Sequence, residues 1–199
     1  AQAPLNHHDD LISAPAPTLA REVARALSGR VLRIELMAAG PAQGAVPYSV
    51  RHQRYLVREL APASAHTPYA RLLPLALESI SYQYEGVKDD PLCQHQINLR
   101  WDAYGYLVHG VSLHYARRTT ADSPPPAVLV DEHQQRWWRD THDNAQQFYY
   151  LSETLAQPIH LDDAQQWCLG LPYRQRDNAL VLGKAPAPGG LDPARITYE

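Results

Sequence analysis

The histidines and acidic residues of this sequence are the first candidates for chemistry, because imidazole and carboxylate groups are common zinc ligands in proteins. They combine in three sets: His7-His8-Asp9-Asp10, His133 with His142, and His160 with Asp162 and Asp163. None of the sets follows the His-Glu-x-x-His or paired Cys-x-x-Cys spacing of a recognised zinc site. The first set also lies in a predicted linker, which does not hold ligands rigidly. The sequence therefore predicts no metal site and no cofactor.

The two cysteines, Cys93 and Cys168, are too few for a disulfide framework, although their spacing leaves open whether they pair. His95 follows Cys93 by two residues, and on a strand such side chains point to the same face, so a thiol–imidazole contact is one hypothesis. A catalytic thiol also needs an accessible, electropositive pocket, so a structural cysteine is the preferred interpretation. Gly-x-Ser-x-Gly and glycine-rich phosphate loops do not occur. The sequence predicts that the chain is not an enzyme.

The aromatic residues suggest a contact role instead. There are 12 tyrosines and 4 tryptophans but one phenylalanine, and tyrosine suits a half-buried β face because its hydroxyl can reach water or a partner. Trp137 and Trp138 form a candidate aromatic contact surface. If they stacked on sugars, the region would be a carbohydrate- or receptor-binding β module. Adjacent side chains on a strand point to opposite faces, so at most one would serve such a platform, and packing is preferred.

Charge and hydropathy exclude two classes of partner. The 18 lysines and arginines against 21 acidic residues give a net charge of −3, and neither half is strongly basic, so no nucleic acid partner is predicted. The longest apolar runs, such as residues 72–77, fall far short of the roughly 20 residues that span a bilayer. No signal-peptide pattern begins at residue 1. We therefore expect no direct membrane insertion.

The elements that must position these residues begin after a proline-rich segment. Residues 1–17 contain three prolines without periodicity and are predicted to be a linker. Residues 18–182 are predicted to form a single β-rich domain, and residues 183–199 a second linker or tail. Thr18 is the expected N-cap of a short helix, and Gly29 can end that helix in the left-handed conformation. Apolar residues recur at helical spacing between them: Leu19, Val23 and Leu27.

After Gly29 the apolar period changes to two, which predicts strands. They are expected at 32–36, 48–60, 79–85, 94–102, 111–115, 147–155, 167–171 and 173–182. A shift of the apolar phase within the second of these strands predicts either a bulge or a break near 52–54. Asp102-Ala-Tyr-Gly105 is predicted to be a hairpin turn, because the aspartate can bond its own backbone and the glycine can supply a positive φ. Residues 131–146 are predicted to be a short helix or a loop. The fold class is therefore mainly β, with antiparallel sheets and hairpins and one or two short helices.

Several short blocks occur in a fixed order along the chain: Arg25-Ala-Leu-Ser-Gly-Arg-Val-Leu-Arg-Ile-Glu35, Pro47-Tyr-Ser-Val50, Ile80-Ser-Tyr-Gln-Tyr-Glu85, Asp90-Pro91, Leu99-Arg-Trp-Asp-Ala-Tyr-Gly105, Val111-Ser-Leu-His-Tyr-Ala-Arg-Arg118 and Trp167-Cys-Leu-Gly-Leu-Pro172. Together they resemble the B component of insecticidal toxin complexes, in the region between its β-propeller and its shell of tyrosine-aspartate (YD/RHS-type) repeats. The similarity covers residues 20–182 in collinear order. It departs from the family at 131–146, which matches no block, and at Ala116, where the family tends to place glycine.

The resemblance implies a non-catalytic structural role in a secreted bacterial toxin assembly. In that family the B and C components together form a hollow shell around a toxic C-terminal segment of C, and the propeller of B docks onto the A channel component. The expected partners are therefore other domains of the same B component, the C component and, indirectly, the A component. The self-cleavage chemistry of the shell belongs to the C component in this family.

Overall fold

The structure, a computed structural model, describes residues 17–39, 46–84, 87–184 and Pro193. Most of the predicted N-terminal linker, including His7-His8-Asp9-Asp10, lies outside the described residues. So does nearly all of the predicted tail after residue 184. Neither helix in the described part of the chain is long and apolar enough to cross a membrane.

Seven antiparallel strands form one sheet in which each strand pairs with its neighbours in sequence. The strands are β1 Arg33–Leu36, β2 Ser49–Ala61, β3 Arg71–Gln83, β4 Leu92–Trp101, β5 Leu107–His114, β6 Phe148–Asp162 and β7 Trp167–Gly183. Helix α1, Pro17–Ala26, precedes the sheet, and helix α2, Glu132–Asp140, lies between β5 and β6. A 3-10 turn, Asn144–Gln147, leads into β6. The predicted mainly β fold with two short helices is confirmed.

Three predicted element boundaries are wrong for identifiable reasons. Helix α1 begins at Pro17, so Thr18 is its second residue and not its N-cap; proline suits the first helical position because the N–H there has no helical partner. Strand β3 begins at Arg71 rather than Ser79, because the continuous apolar run 72–77 hides the alternation. Strand β7 continues through Pro172, which pairs with Pro158 at a register shift, a position where a sheet tolerates proline.

One face of the sheet, the core face, carries the buried apolar side chains. Residues in register lie side by side on the same face, so the pairs His95–Leu113, Leu113–Leu151 and Leu151–Leu180 define one row from β4 to β7. The main cluster on this face consists of Ile80, Tyr82, Cys93, Leu113, Tyr115 and Tyr149. A smaller cluster consists of Leu56, Leu75 and Leu77. The opposite face is largely polar and includes Ser79, Ser81, Gln94, Gln96 and Ser112.

Four polar side chains form a continuous buried network on the core face. Glu78 of β3 accepts hydrogen bonds from Arg54 of β2, at 2.7 Å, and from His95 of β4, at 2.5 Å. The second ring nitrogen of His95 lies 3.2 Å from the hydroxyl of Tyr115, and His95 is 0% exposed. Burial by itself raises the pKa of Glu78, but the hydrogen bond from His95 and the charge of Arg54 outweigh it. The pKa of Glu78 therefore lies below its ordinary value of 4.5.

A register shift lies beside this network, but its extra residue is on β3. The bulge predicted in β2 near 52–54 is therefore wrong, because Val50, His52, Arg54 and Leu56 are all buried in one unbroken alternation. The register of β2 against β3 shifts between Arg54, which pairs with Glu78, and Tyr55, which pairs with Ala76. A bulge leaves one residue of a strand without a direct partner; here that residue is Leu77, whose side chain is buried. The shift therefore lets β2 and β3 place both a charged pair and a leucine inside the protein.

Asp90, between β3 and β4, fixes the long connection from β5 to β6. Its carboxylate accepts hydrogen bonds from the backbone N–H of Arg118, at 2.8 Å, and of Thr119, at 2.9 Å. The ring of His142 stacks on Trp138 with centroids 4.1 Å apart, and its Nε2 lies 3.4 Å from the Asp90 carboxylate. Helix α2 is held against the end of the sheet by these contacts.

The substitution Glu78→Gln tests the buried network. We expect the free energy of unfolding to fall by about 3–5 kcal/mol, because Arg54 would keep a buried charge without its carboxylate partner. Urea denaturation followed by tryptophan fluorescence measures the change. Glu153→Gln is the matched control: that carboxylate also pairs with a histidine, His109 at 2.8 Å, but is partly exposed, so its loss should be much smaller. Equal losses of unfolding free energy in the two variants would contradict the role that we assign to the burial of Glu78.

The stability of the original protein and that of the Glu78→Gln variant should also depend differently on pH. Because the pKa of Glu78 is lower in the folded than in the unfolded protein, its stabilising contribution is complete above about pH 4.5. It is lost as the pH falls through the folded-state pKa. The stability difference between the original protein and Glu78→Gln should therefore shrink below that pH. A difference that stays constant down to pH 3 would argue against the assigned direction of the shift.

Candidate interaction surface

The β4–β5 hairpin turn contains the two turn residues that the sequence singled out. Oδ1 of Asp102 accepts hydrogen bonds from the backbone N–H of Tyr104 and of Tyr106, each at 2.9 Å. Gly105 has a φ of +88°, a conformation that costs residues with a Cβ about 1–2 kcal/mol. A Cβ at this position would also lie 2.7 Å from Cδ2 of Leu73. The turn therefore needs glycine both for its φ and for its contact with β3.

The same turn is fastened to the β6–β7 hairpin by side chains, a contact region that we call the turn–ribbon junction. Oδ2 of Asp102 lies 2.8 Å from Nε2 of His160, and the N–H of Gly170 donates to Nδ1 of His160 at 3.1 Å. Since Gly170 supplies a donor, Nδ1 must be the accepting nitrogen, and the proton of the neutral ring lies on Nε2, where it bonds Asp102. The hydroxyl of Tyr106 donates to the carbonyl of Leu169 at 3.2 Å.

Two carboxylates near this junction are also engaged by neighbouring side chains. The Tyr104 hydroxyl donates to Asp162, and this hydrogen bond raises the pKa of Tyr104 above its ordinary value. Glu153 accepts a hydrogen bond from Asn178 at 2.7 Å and lies 2.8 Å from Nε2 of His109. The Asn178 bond and then the His109 bond lower the pKa of Glu153. These side chains hold the β6–β7 hairpin in one position against β4 and β5.

The strand fixed in this way, β7, forms an outer strand of the sheet. It has 17 residues and, among the described residues, pairs only with β6. Along the row that crosses the core face, exposure rises from 4% at Leu113 to 53% at Leu180. The core face thus continues into solvent at β7. The large apolar side chains exposed on this strand are Trp167, Leu171, Tyr173, Leu180, Val181 and Leu182.

The opposite edge of the sheet, strand β1, also exposes apolar side chains, but over a shorter length. Strand β1 has 4 residues, all exposed, and they include Ile34 and Leu36. Outer strands of soluble proteins are usually protected by charges, bulges or covering elements, because their free N–H and C=O groups can pair with another strand. A long outer strand with apolar side chains, such as β7, is therefore a candidate interaction surface.

The tryptophan pair lies on a helix and not on a strand. Trp138 of α2 is 4% exposed, whereas Trp137 is 45% exposed. The two indole rings therefore do not share a surface, and only Trp137 is available to a ligand. The aromatic contact surface stays a prediction that concerns Trp137 alone.

The other candidates for chemistry are dispersed or already engaged. Cys93 is buried, Cys168 is exposed, and both are free thiols. His95 shares the core face with Cys93, as predicted from their spacing, but its ring nitrogens face Glu78 and Tyr115. In the part of the chain that the structure describes, no three His, Cys, Asp or Glu side chains come together as a metal site would require.

Two features of this region were missed from the sequence. The contact between Asp102 and His160 joins residues far apart in the chain, and no spacing rule connects them. The buried network had a visible signal: Arg54, Glu78 and His95 occupy positions that share the alternation phase of buried apolar residues on their own strands. Charged residues in the apolar phase of three strands indicate a buried polar network.

The substitution Gly105→Ala tests the turn. We expect it to cost about 1–2 kcal/mol of unfolding free energy for the positive φ and roughly another 1–3 kcal/mol for the contact with Leu73. Gly29→Ala is the matched control, because Gly29 has a similar φ of +77° with nothing within 4 Å of the added Cβ. Chemical denaturation of both variants gives the comparison. If Gly29→Ala were as destabilising as Gly105→Ala, the close contact with β3 would be refuted.

Comparison with known proteins gives one family match and several structural matches. The family described as insecticide toxin TcdB middle/C-terminal region matches residues 22–171. The comparison with curated proteins gave no match.

The solved structures that resemble this chain are toxin assemblies. A crystal structure of TcdB2-TccC3-Cdc42 has a TM-score of 0.67 and 30% identity, over 84% of this chain and 8% of that chain. A crystal structure of TcdB2-TccC3 has a TM-score of 0.69 and 28% identity, over 96% and 9%. A Photorhabdus luminescens Tc holotoxin pore with a mutation in TccC3 has a TM-score of 0.69 and 30% identity, over 95% and 8%.

This chain thus spans less than a tenth of the length of each matched chain. The family match begins within α1 and ends within β7, so it includes the hairpin turn and helix α2, and it confirms the resemblance drawn from the sequence blocks. The chain belongs to the family of the TcdB middle/C-terminal region of insecticidal toxins.

Proposed function

We propose that this region is a non-catalytic structural domain of the B component of a secreted toxin complex. It contributes to the β-sheet shell that, together with the C component, encloses and delivers a toxic C-terminal segment of C. Its direct partners are other domains of the same B component and the C component, and the A channel component is an indirect partner. The match to structures in which TcdB2 occurs together with TccC3 supports this proposal.

The observation that carries the proposal is the outer strand β7. Its core-face side chains, such as Leu180 and Leu182, are 53% and 39% exposed, although they lie in register with the buried side chains of β5 and β6. Covering apolar area of this kind is favourable by roughly 25 cal/mol per Å². The outer backbone edge of β7 also has no partner strand in the part of the chain that the structure describes, so it can pair with a further strand. Both properties suit continuation of the sheet or packing by further shell.

The turn–ribbon junction supports the same role. A strand that must align with further sheet needs a fixed position, and the contacts of Asp102 and His160 supply one at the distal end of the β6–β7 hairpin. The arrangement suits presentation of a rigid strand rather than binding of a small molecule. The side chains that could act as acids or bases here are occupied in holding this hairpin.

The double substitution Leu180→Lys/Leu182→Lys in the full B component, produced together with the C component, tests the proposal. We expect loss of the assembled B–C shell, because two charges would lie on the surface that must be covered. Size-exclusion chromatography measures assembly, and limited proteolysis measures protection of the C-terminal segment of C. Unchanged assembly and unchanged protection would overturn the proposal.

Ala179→Lys is the matched control for this experiment. Ala179 directly precedes Leu180, is exposed, and pairs with Ser152 on the polar face of the sheet. A lysine there adds the same kind of charge to the same strand without placing it on the core face. We expect this variant to assemble normally. If Ala179→Lys abolished assembly to the same extent, the effect could not be assigned to the core face of β7.

A further inference from the structure

A groove opens where the β6–β7 hairpin runs on beyond β5. The ladder between β5 and β6 ends at the pair His109–Leu155, but β6 continues to Asp162. The space beside the continuing part of β6 has a volume of about 530 Å³. Its apolar wall consists of Val108, Leu155, Ala156 and Pro158.

Three arginines from two strands line this groove, which we call the arginine groove. They are Arg100 of β4 and Arg174 and Arg176 of β7. The sheet register explains their convergence: Arg100 pairs with His109, His109 with Leu155, and Leu155 with Arg176. These residues therefore stand in one row on one face. The groove concentrates positive charge in a chain whose net charge is −3.

The nearby carboxylates that the structure describes form no salt bridge with these guanidinium groups, although the charge of Arg176 also acts on Glu153 and Nε of Arg176 donates to Asn178 at 2.9 Å. Asp102, which lines the groove, is bound to His160 and to two backbone N–H groups. Glu153 is bound to His109 and Asn178. Within residues 17–39, 46–84 and 87–184, none of the three arginines has a salt bridge to a carboxylate. Guanidinium groups bind carboxylates in a planar two-point geometry, so the groove is suited to an acidic occupant.

We propose that the arginine groove docks an acidic segment of the same B-component polypeptide, from outside residues 17–184. This inference rests on the proposed function, since it assumes that the region is one part of a longer component. More than nine tenths of each matched chain lies outside the part that this chain covers. The occupant is a peptide rather than a glycan, because the walls are aliphatic and no tyrosine or tryptophan lines the groove to stack on a sugar.

The docking contact would combine two interactions. Carboxylates of the segment pair with Arg174, Arg176 and Arg100, and an apolar side chain beside them covers Leu155 and Pro158. Enclosure of the ion pairs by protein would reduce their screening by salt and water. The segment would thereby brace the β6–β7 hairpin on the side opposite the free edge of β7.

A zero-length cross-linking experiment on the full B component tests this site. Arg174→Lys and Arg176→Lys, made singly, each keep the positive charge and introduce an amine. A water-soluble carbodiimide activates a contacting carboxylate; the amine then attacks the activated carbonyl, an amide bond forms, and the corresponding urea leaves. Peptide mass spectrometry identifies the coupled residue. We expect a cross-link from each introduced lysine to an Asp or Glu outside residues 17–184 of the B component.

Arg51→Lys is the control, because Arg51 is exposed on β2 on the polar face of the sheet. It reports the cross-linking yield of an ordinary exposed lysine. Yields from both groove variants that do not exceed the Arg51→Lys yield would overturn the proposal. A cross-link to the C component would also overturn the proposal, because the occupant would then belong to another protein. Cross-links only to Glu153 and Asp102 would overturn it too, because no segment from outside residues 17–184 would then contact the groove.

A second measurement needs no substitution. In the unmodified B component, phenylglyoxal should label Arg174 and Arg176 several-fold more slowly than Arg51, and the difference should vanish after denaturation. Equal labelling in the native component would show an open groove and overturn the proposal. The shell test uses Leu180 and Leu182 instead, so failure of shell assembly and failure of groove docking are separate results.

Discussion

The register of the β-ladder is the constraint on which the rest of this structure depends, and the buried carboxylate of Glu78 does much to fix it. Strands alternate their side chains with a period of two, so a slip of one residue would exchange the core face with the polar face. Glu78 bonds Arg54 on one neighbouring strand and His95 on the other. A slipped register would separate these groups and leave buried charges without partners, which is costly. Apolar burial favours many registers, whereas this network favours one.

The register of β3 and β4 also determines where the later strands and turns lie. With β4 and β5 in place, the Asp102 turn reaches His160, and the β6–β7 hairpin is fixed relative to the core. The sheet is a simple meander, so within the described part of the chain no later strand returns to cover its last member. The core face therefore continues beyond the residues that bury it. The candidate interaction surface on β7 is therefore a regular part of the sheet that the described residues leave uncovered.

The charged side chains fall into two groups. Some have hydrogen-bonding partners within this region, and others form no salt bridge with its described residues. Glu78, Asp90 and Asp102 each satisfy their carboxylate oxygens with nearby donors, so these groups stabilise the fold and are not offered to a ligand. The arginines beside the free part of β6 form no salt bridge among the described residues, although the charge of Arg176 acts on Glu153. Under the proposed docking, stability and recognition are assigned to different charges, and Arg100 and Asp102 show how close in the chain such charges lie.

The sequence by itself determined the class of fold, the family and several local features, because these depend on neighbours within a few residues. Alternation indicated the strands, and Asp102 and Gly105 indicated the turn. The start of β3 and the continuity of β7 were not predictable in this way. An apolar run such as 72–77 has no period, and a proline such as Pro172 is compatible with a strand only when its partner strand shifts register.

Only the tertiary structure decided which distant groups meet. Strand register determines the pairing of Glu78 with Arg54 and His95 and the contact of Asp102 with His160. It also determines the row that places Arg100 and Arg176 along the same groove. Register is set by the sum of contacts across the whole sheet, and no local pattern encodes it. Exposure of β7 was likewise undetermined, since Leu180 and Leu182 read as core residues by their alternation. Their alternation specifies which face they share, and only the arrangement of the strands specifies whether anything in the described chain covers that face.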